Sequence, residues 1–148
     1  MIQIRVPRQE DQPVIRRLVR RAHLNPLSLG WRQFRLAADD RGQVIGCGQV
    51  RRHGDGSREL ASIVVAEAWR GRGVARAVIE RLMGEAGPPL WLTCRSGLKG
   101  FYARFGFREA DPADRLPAYF RRVRSLAKTL AVLSARGERL TVMLWEGE

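Results

Sequence analysis

The stretch from Val64 to Ala75 constrains the fold of this chain more than any other. An apolar run, Val64-Val65-Ala66, passes through Glu67-Ala68-Trp69-Arg70-Gly71-Arg72-Gly73 into a helical pattern that begins at Val74. A strand handed to a helix by such a turn leaves the first backbone N–H groups of the helix without intrahelical partners, at the positive end of the helix dipole. Those groups bind phosphate, and Gly71 and Gly73 let backbone come close to its oxygens. A Walker A loop would need Gly-Lys-Ser/Thr here and so does not fit. The dinucleotide fingerprint would need glycine or alanine three residues beyond the second glycine, where Arg76 stands.

The remaining pattern supplies the elements around this junction. Residues 2 to 6 form a short apolar segment. From Asp11, the residues Val14, Ile15, Leu18, Val19 and Ala22 recur at helical spacing with Arg16, Arg17, Arg20 and Arg21 opposite, so an amphipathic helix is expected, with Asp11 as its cap and Pro13 in its first turn. Runs at 34–38 and 44–50, joined by Asp39-Asp40-Arg41-Gly42, read as a hairpin, and a third run, Leu60 to Ala66, follows the loop His53-Gly54-Asp55-Gly56. Val74, Val78 and Leu82 with Ala75, Ile79 and Met83 form the buried side of a helix that Pro88-Pro89 stops. Leu90 to Cys94, a short helix around Leu98 to Arg104, and Gly106-Phe107-Arg108 make a strand–helix–strand crossover expected to pack right-handed. A long helical pattern runs from Leu116 to Ser134, with Tyr119, Leu126 and Leu133 beside its main stripe. The closing strand is Leu140 to Trp145.

A chain of 148 residues is the size of one ordinary domain. The expectation is a single α/β (α+β) domain over 1–148: a mixed, mainly antiparallel twisted sheet of about six to seven strands flanked by helices. No apolar stretch is long enough to cross a bilayer and no leader pattern opens the chain, so a cytoplasmic protein is expected, with no membrane partner. Cys47 and Cys94, with only His23 and His53 to join them, have the wrong number and spacing for a structural zinc site, and no metal is expected. Lys plus Arg number 27 against 15 Asp plus Glu, giving +12. Only Lys99 and Lys128 are lysines, so 25 of the 27 are arginines, whose planar fork suits phosphate and carboxylate. The charge predicts attraction to anions, and equally it fits solvated faces written in an Arg-rich code.

Arg70-Gly71-Arg72-Gly73-Val74-Ala75 resembles the pyrophosphate loop of the GNAT superfamily of N-acetyltransferases, Gln/Arg-x-x-Gly-x-Gly/Ala. Glu59-Leu60 opens the preceding strand, Val65 lies five residues before Arg70, and Phe101-Tyr102-Ala103-Arg104-Phe105-Gly106-Phe107 is similar to the family's Phe-Tyr-x-x-x-Gly-Phe signature. By element order the resemblance covers roughly residues 2 to 110. It implies acetyl-CoA as cosubstrate, its pyrophosphate on Arg70, Gly71, Arg72, Gly73, Val74 and Ala75, and its pantetheine arm added along Ile63, Val64 and Val65. It implies transfer of the acetyl group to a primary amine, with Glu59 as the base and Tyr102 as the acid that protonates the departing thiolate. A backbone amide near Val64 or Val65 would hold the oxyanion.

Each residue also has an ordinary reading: Glu59 as a solvated strand entry, Tyr102 as packing for the crossover helix, Arg70 and Arg72 as exposed turn charges, Cys94 as a small buried hydrophobe, and His23 and His53 as loop residues. Two departures from the family pattern stand out. Arg95, followed by Ser96, occupies the place where many relatives carry an asparagine on the pantetheine. A helical insertion at about 112–136 precedes the last strand, where it could wall the acceptor pocket, make a homodimer contact, or pack as a surface helix. Arg95, Arg121, Arg122 and Arg124 could line an acceptor pocket that favours an amine bearing carboxylate or phosphate. Rival functions are a non-catalytic acyl-CoA sensor and a basic nucleic-acid-binding module; aromatic residues at 7%, without basic–aromatic interleaving, argue against the latter.

Overall fold

The computed structural model describes residues 1–131 and 139–147, and they divide into two compact units, Met1–Arg51 with Leu60–Ala86, and Arg52–Glu59 with Gly87–Glu148.

The first unit is built from β1 (Gln3–Arg5), α1 (Gln12–Arg21), β2 (Phe34–Ala38), most of β3 (Val44–Arg52) and β4 (Arg58–Val65), and α2 (Val74–Ala86). β1 pairs antiparallel with β2, and β2 with β3, while β4 neighbours β3. Alternation along the strands sends side chains to two faces. On one, Ile15 and Val19 of α1 pack with Phe34, Leu36, Cys47 and Val64. On the other, α2 lies so close that a Cβ at Gly46 would come within 2.8 Å of Val74 Cγ1 and one at Gly48 within 2.8 Å of Val78 Cγ1. These two glycines are why the helix after the turn sits flat on the sheet.

Asp11 stands at the N-cap of α1 as expected, but its carboxylate does not cap the helix. It accepts both Arg5 Nη1 and Nη2 at 2.9 Å and the Arg8 N–H at 2.7 Å. A guanidinium fork from β1 outcompetes the helix amides because a charge-assisted two-point contact is the stronger bond. The Arg5 hydrogen bonds hold the Asp11 carboxyl below its usual range.

The second unit holds the start of β4, β5 (Leu90–Arg95), α3 (Lys99–Ala103), β6 (Arg108–Glu109), α4 (Ala118–Ala131) and β7 (Leu140–Trp145). Glu59 of β4 pairs with Trp91 of β5 in parallel register. β5 pairs antiparallel with β7 from Leu90↔Trp145 to Arg95↔Leu140, and β7 pairs antiparallel with β6. The expected crossover from β5 through α3 to β6 is present, but β7 inserts between the two strands, because the last strand of the chain supplies the antiparallel partner both lack. The strand order is β1-β2-β3-β4-β5-β7-β6, a mainly antiparallel seven-stranded sheet.

Within the expected insertion, α4 begins at Ala118 rather than Leu116, since Pro117 sits where a helix opens at little cost. Leu116 and Phe120 pack with Trp91, Val142 and Leu144. Leu126 instead is 65% exposed. Residues 132–136, including Leu133 and Ser134, lie outside the described residues. Among the described residues no helix is long and apolar enough to cross a membrane.

Candidate functional site

In the first unit, β4 leads through a short 3₁₀ turn, Glu67–Trp69, into the loop before α2. Ala66 N–H donates to Ile45 O at 2.8 Å and Trp69 N–H to Ala66 O at 2.8 Å, which fixes the entry. Gly71 and Gly73 then adopt φ of +77° and +82°. An ideal Cβ at either would meet nothing within 4 Å, so glycine is required for the left-handed backbone and not for space. The first bond of α2 runs from Ala77 N–H to Gly73 O at 3.1 Å. The N–H groups of Val74, Ala75 and Arg76 precede it and are the helix's unsatisfied first-turn donors. Arg70, Gly71, Arg72 and Gly73 are exposed, Val74 is buried under the turn and Ala75 is half-buried. The Arg72 guanidinium lies 5.0 Å from the centre of the Trp69 ring. Ile63 and Val65 are half-buried and Val64 is buried among the α1-side core. The loop and the end of β4 therefore come together as an exposed amide cradle of the kind an anion needs.

In the second unit, Glu59 is 4% exposed and not a solvated strand entry. One carboxylate oxygen lies 2.9 Å from His53 Nε2. The His53 ring stacks on Tyr119 at 3.6 Å between centroids and 15° between planes, with Phe120 edge-on at 5.8 Å. Tyr119 is held in turn by its backbone N–H, which donates to Asp55 Oδ2 at 2.9 Å. Asp55 Oδ1 accepts the Ser57 N–H and hydroxyl, and these bonds, with Ser57's hydroxyl first, lower the Asp55 carboxyl to about 2. A carboxylate out of water, touched by an imidazole that an aromatic ring clamps, is a group that can take a proton from a substrate.

His53 is the residue that sequence reasoning passed over as a loop position. It is indeed in the β3–β4 loop, with its N–H on Ser57 O at 2.9 Å. Once His53 and Ser57 face one another across that turn, His53 and Glu59 become diagonal neighbours. The spacing was the available signal, and it was usable only with the turn's register known.

Tyr102 lies on α3, half-buried, with Phe101 and Phe107 edge-on at 5.0 Å and 6.3 Å. Its carbonyl accepts Phe105 N–H at 3.0 Å and Phe107 N–H at 3.4 Å, the tight turn that the Phe-Tyr-x-x-x-Gly-Phe pattern encodes. Gly106 in that turn has φ +96°, with Trp145 within 3.2 Å of where a Cβ would stand. Burial, and then Cys94 nearby, pushes the Tyr102 phenol up to about 12. The hydroxyl is therefore a proton donor throughout the neutral range. Tyr102 and Glu59 make no hydrogen bond to each other among the described residues.

Cys94 is buried, with its thiol 3.8 Å from Met143 Sδ and raised by burial, which suits a small hydrophobe rather than a nucleophile. Arg95 ends β5 opposite Leu140, and Ser96 N–H donates to Arg139 O at 2.8 Å. Arg121 and Arg122 are exposed on α4, and Arg124 is half-buried there.

A mainly antiparallel sheet whose fourth strand turns through two left-handed glycines into a long helix defines an acyl-CoA N-acyltransferase fold. The sequence from 31 to 109 matches the model of the acetyltransferase (GNAT) domain, more than half of the chain, and the chain belongs to that family. No curated protein sequence matches it. Among solved structures, Rv2747 from Mycobacterium tuberculosis, in complex with CoA, is similar with a TM-score of 0.73 at 22% identity, covering 99% of both chains. The ribosomal-protein-S18-alanine N-acetyltransferase from Escherichia coli gives 0.68 at 21%, covering 99% of this chain and 94% of that one. N-acetylglutamate synthase from Neisseria gonorrhoeae, complexed with coenzyme A and N-acetyl-glutamate, gives 0.70 at 19%, covering 99% of this chain and 35% of that one.

Proposed function

We propose that this chain transfers an acetyl group from acetyl-CoA to the nitrogen of a primary amine by direct attack in a ternary complex. The observation that carries the reading is the pair of left-handed glycines, Gly71 and Gly73, opening the first-turn amides of α2. The pyrophosphate would rest on the amides of Arg70 to Ala75, and the extended pantetheine arm would add along Ile63 to Val65 as a strand adds to a sheet edge.

The acceptor amine, with an ordinary pKa near about 10, must be deprotonated to attack. Glu59 takes that proton, directly or through water. The nitrogen lone pair forms the C–N bond at the thioester carbon, and the carbonyl electrons move to oxygen, where a backbone N–H near Val64 or Val65 stabilises them. Collapse expels the CoA thiolate, which takes the Tyr102 proton. Glu59 passes its first proton to solvent and then takes the second proton of the nitrogen, and Tyr102 is regenerated from solvent.

The test is to mix the purified protein with acetyl-CoA and a panel of amines and to follow free thiol. Amine-dependent thiol release with recovery of the N-acetylated product is the expected result. CoA-dependent thermal stabilisation with no turnover of any amine would leave a sensor instead, and no response to any CoA species would end the reading. The protein is expected to work in the cytoplasm.

A further inference from the structure

We propose that Gln49, Arg51 and Ser62 hold a carboxylate of the acceptor, so that the amine acetylated is an amino acid or a similarly small amine bearing a carboxylate. This deepens the acetyltransferase reading and rests on it. Arg51 is 6% exposed, yet among the described residues no carboxylate pairs with it. Its Nη2 donates to Leu27 O at 2.9 Å and Ser62 Oγ at 3.4 Å. Among the described residues its buried Nε has no hydrogen-bond partner, and the hydrogen bonds of the guanidinium are those of Nη2. A guanidinium out of water with its charge uncompensated is costly, and an anion arriving beside it recovers that cost.

The neighbours complete the set. Gln49, fully buried, donates from Nε2 to Ser28 O at 3.2 Å and Ser62 Oγ at 2.8 Å, while its Oε1 is buried with no partner. Ser62 Oγ thus receives two donors and keeps its own O–H to give. The uncommitted groups are donors on Arg51 and Ser62 and one acceptor on Gln49. That is the complement of a carboxylate with an N–H group near it. A phosphate, acceptor on every side, would meet the Gln49 oxygen unfavourably. Holding the loop through Leu27 O and Ser28 O needs neutral donors only, so loop anchoring does not account for the buried charge. The cluster is not sealed: Ser62 keeps 9% of its surface. Ser62 immediately precedes Ile63 to Val65, the backbone assigned above to the pantetheine arm, and strand residues advance by about 3.3 Å each. A carboxylate on Ser62 and Arg51 is therefore within a small molecule's length of the thioester end.

The experiment measures kcat/KM of the intact protein with acetyl-CoA for L-amino acids, each beside its own amide, and for β-alanine beside ethylamine, O-phosphoethanolamine and spermidine. One or more free acids are expected to exceed their amides on the order of ten- to a hundredfold, the worth of one charge-assisted contact. In Arg51→Met that ratio should fall below about threefold, and Arg51→Lys should restore part of it. Should Arg51→Met not fold, the wild-type ratios decide alone. Amides as good as acids, or a preference for the phosphate or the polyamine, overturns the proposal while leaving the acetyltransferase standing. If no amine reacts but CoA binds, N-acetyl amino acids are titrated beside their amides by thermal shift: stabilisation by the acids alone supports the carboxylate site, and none overturns it. Failure to bind CoA at all removes the underlying reading instead.

Discussion

At the scale of single residues, the two groups assigned to proton transfer are set by different surroundings. Glu59 is out of water and touched by His53 Nε2 at 2.9 Å, so replacing it by glutamine keeps the shape and an oxygen for the imidazole while removing the base. Glu59→Gln is expected to lower kcat by about 10²- to 10⁴-fold with a small change in Tm; thiol release measured on a folded variant at wild-type rate would remove Glu59 from the mechanism. Tyr102 works in the opposite direction, because its phenol is raised from 10.0 to about 12 by burial. A group whose folded pKa lies above its unfolded one contributes stability that is complete below about 10 and lost as pH rises through about 12. Tm followed from pH 8 upward should therefore fall over that interval in the wild type and fall less in Tyr102→Phe, whose kcat drops while its affinity for acetyl-CoA is kept. His53 shows why residue types alone did not complete the site. A histidine in a glycine-rich loop has no helical or strand period to mark it, and only the turn's register brings it to Glu59.

At the scale of elements, two pairs of glycines perform different tasks. Gly71 and Gly73 are needed for positive φ in open space, so an alanine there strains the backbone by roughly 1–2 kcal/mol without meeting a neighbour. Gly73→Ala is expected to lower Tm slightly and to weaken CoA binding by about tenfold or more, read by calorimetry; unchanged affinity would mean the loop amides do not hold the pyrophosphate. Gly46 and Gly48 are needed for space, and the atoms in the way differ. A Cβ at Gly48 meets the ends of Ile63, Val78 and Leu82, which can shift, whereas one at Gly46 also lies 3.1 Å from the Val64 carbonyl. Gly46→Ala should therefore be the more damaging of the two, by about 1–3 kcal/mol in denaturant melts, with equal losses counting against the close packing of α2. Motif spacing disclosed the first pair. The second pair looks like ordinary strand glycine until α2 is laid against it.

For the molecule taken whole, ligand linkage is the broadest test. A CoA species at a hundred times its Kd should add about 2.7 kcal/mol, a Tm rise of several degrees, and the rise should shrink with added salt because a chain of charge +12 attracts an anionic ligand partly through its long-range field. A salt-independent rise would confine the attraction to the loop amides. The fold class was legible because hydrophobic period and glycine position are local quantities: the strand–turn–helix junction, the β2–β3 hairpin and α2 all follow from neighbours within a few residues in the chain. Strand order was less so. Nothing local told β7 to lie between β5 and β6, since the choice depends on which edges remain unpaired once the other strands are placed. The order of residues determined where an anion cradle could form. Tertiary structure decided which side chains lost their water: burial puts Glu59 against His53, pushes the Tyr102 phenol up and leaves Arg51 Nε without a hydrogen-bond partner among the described residues.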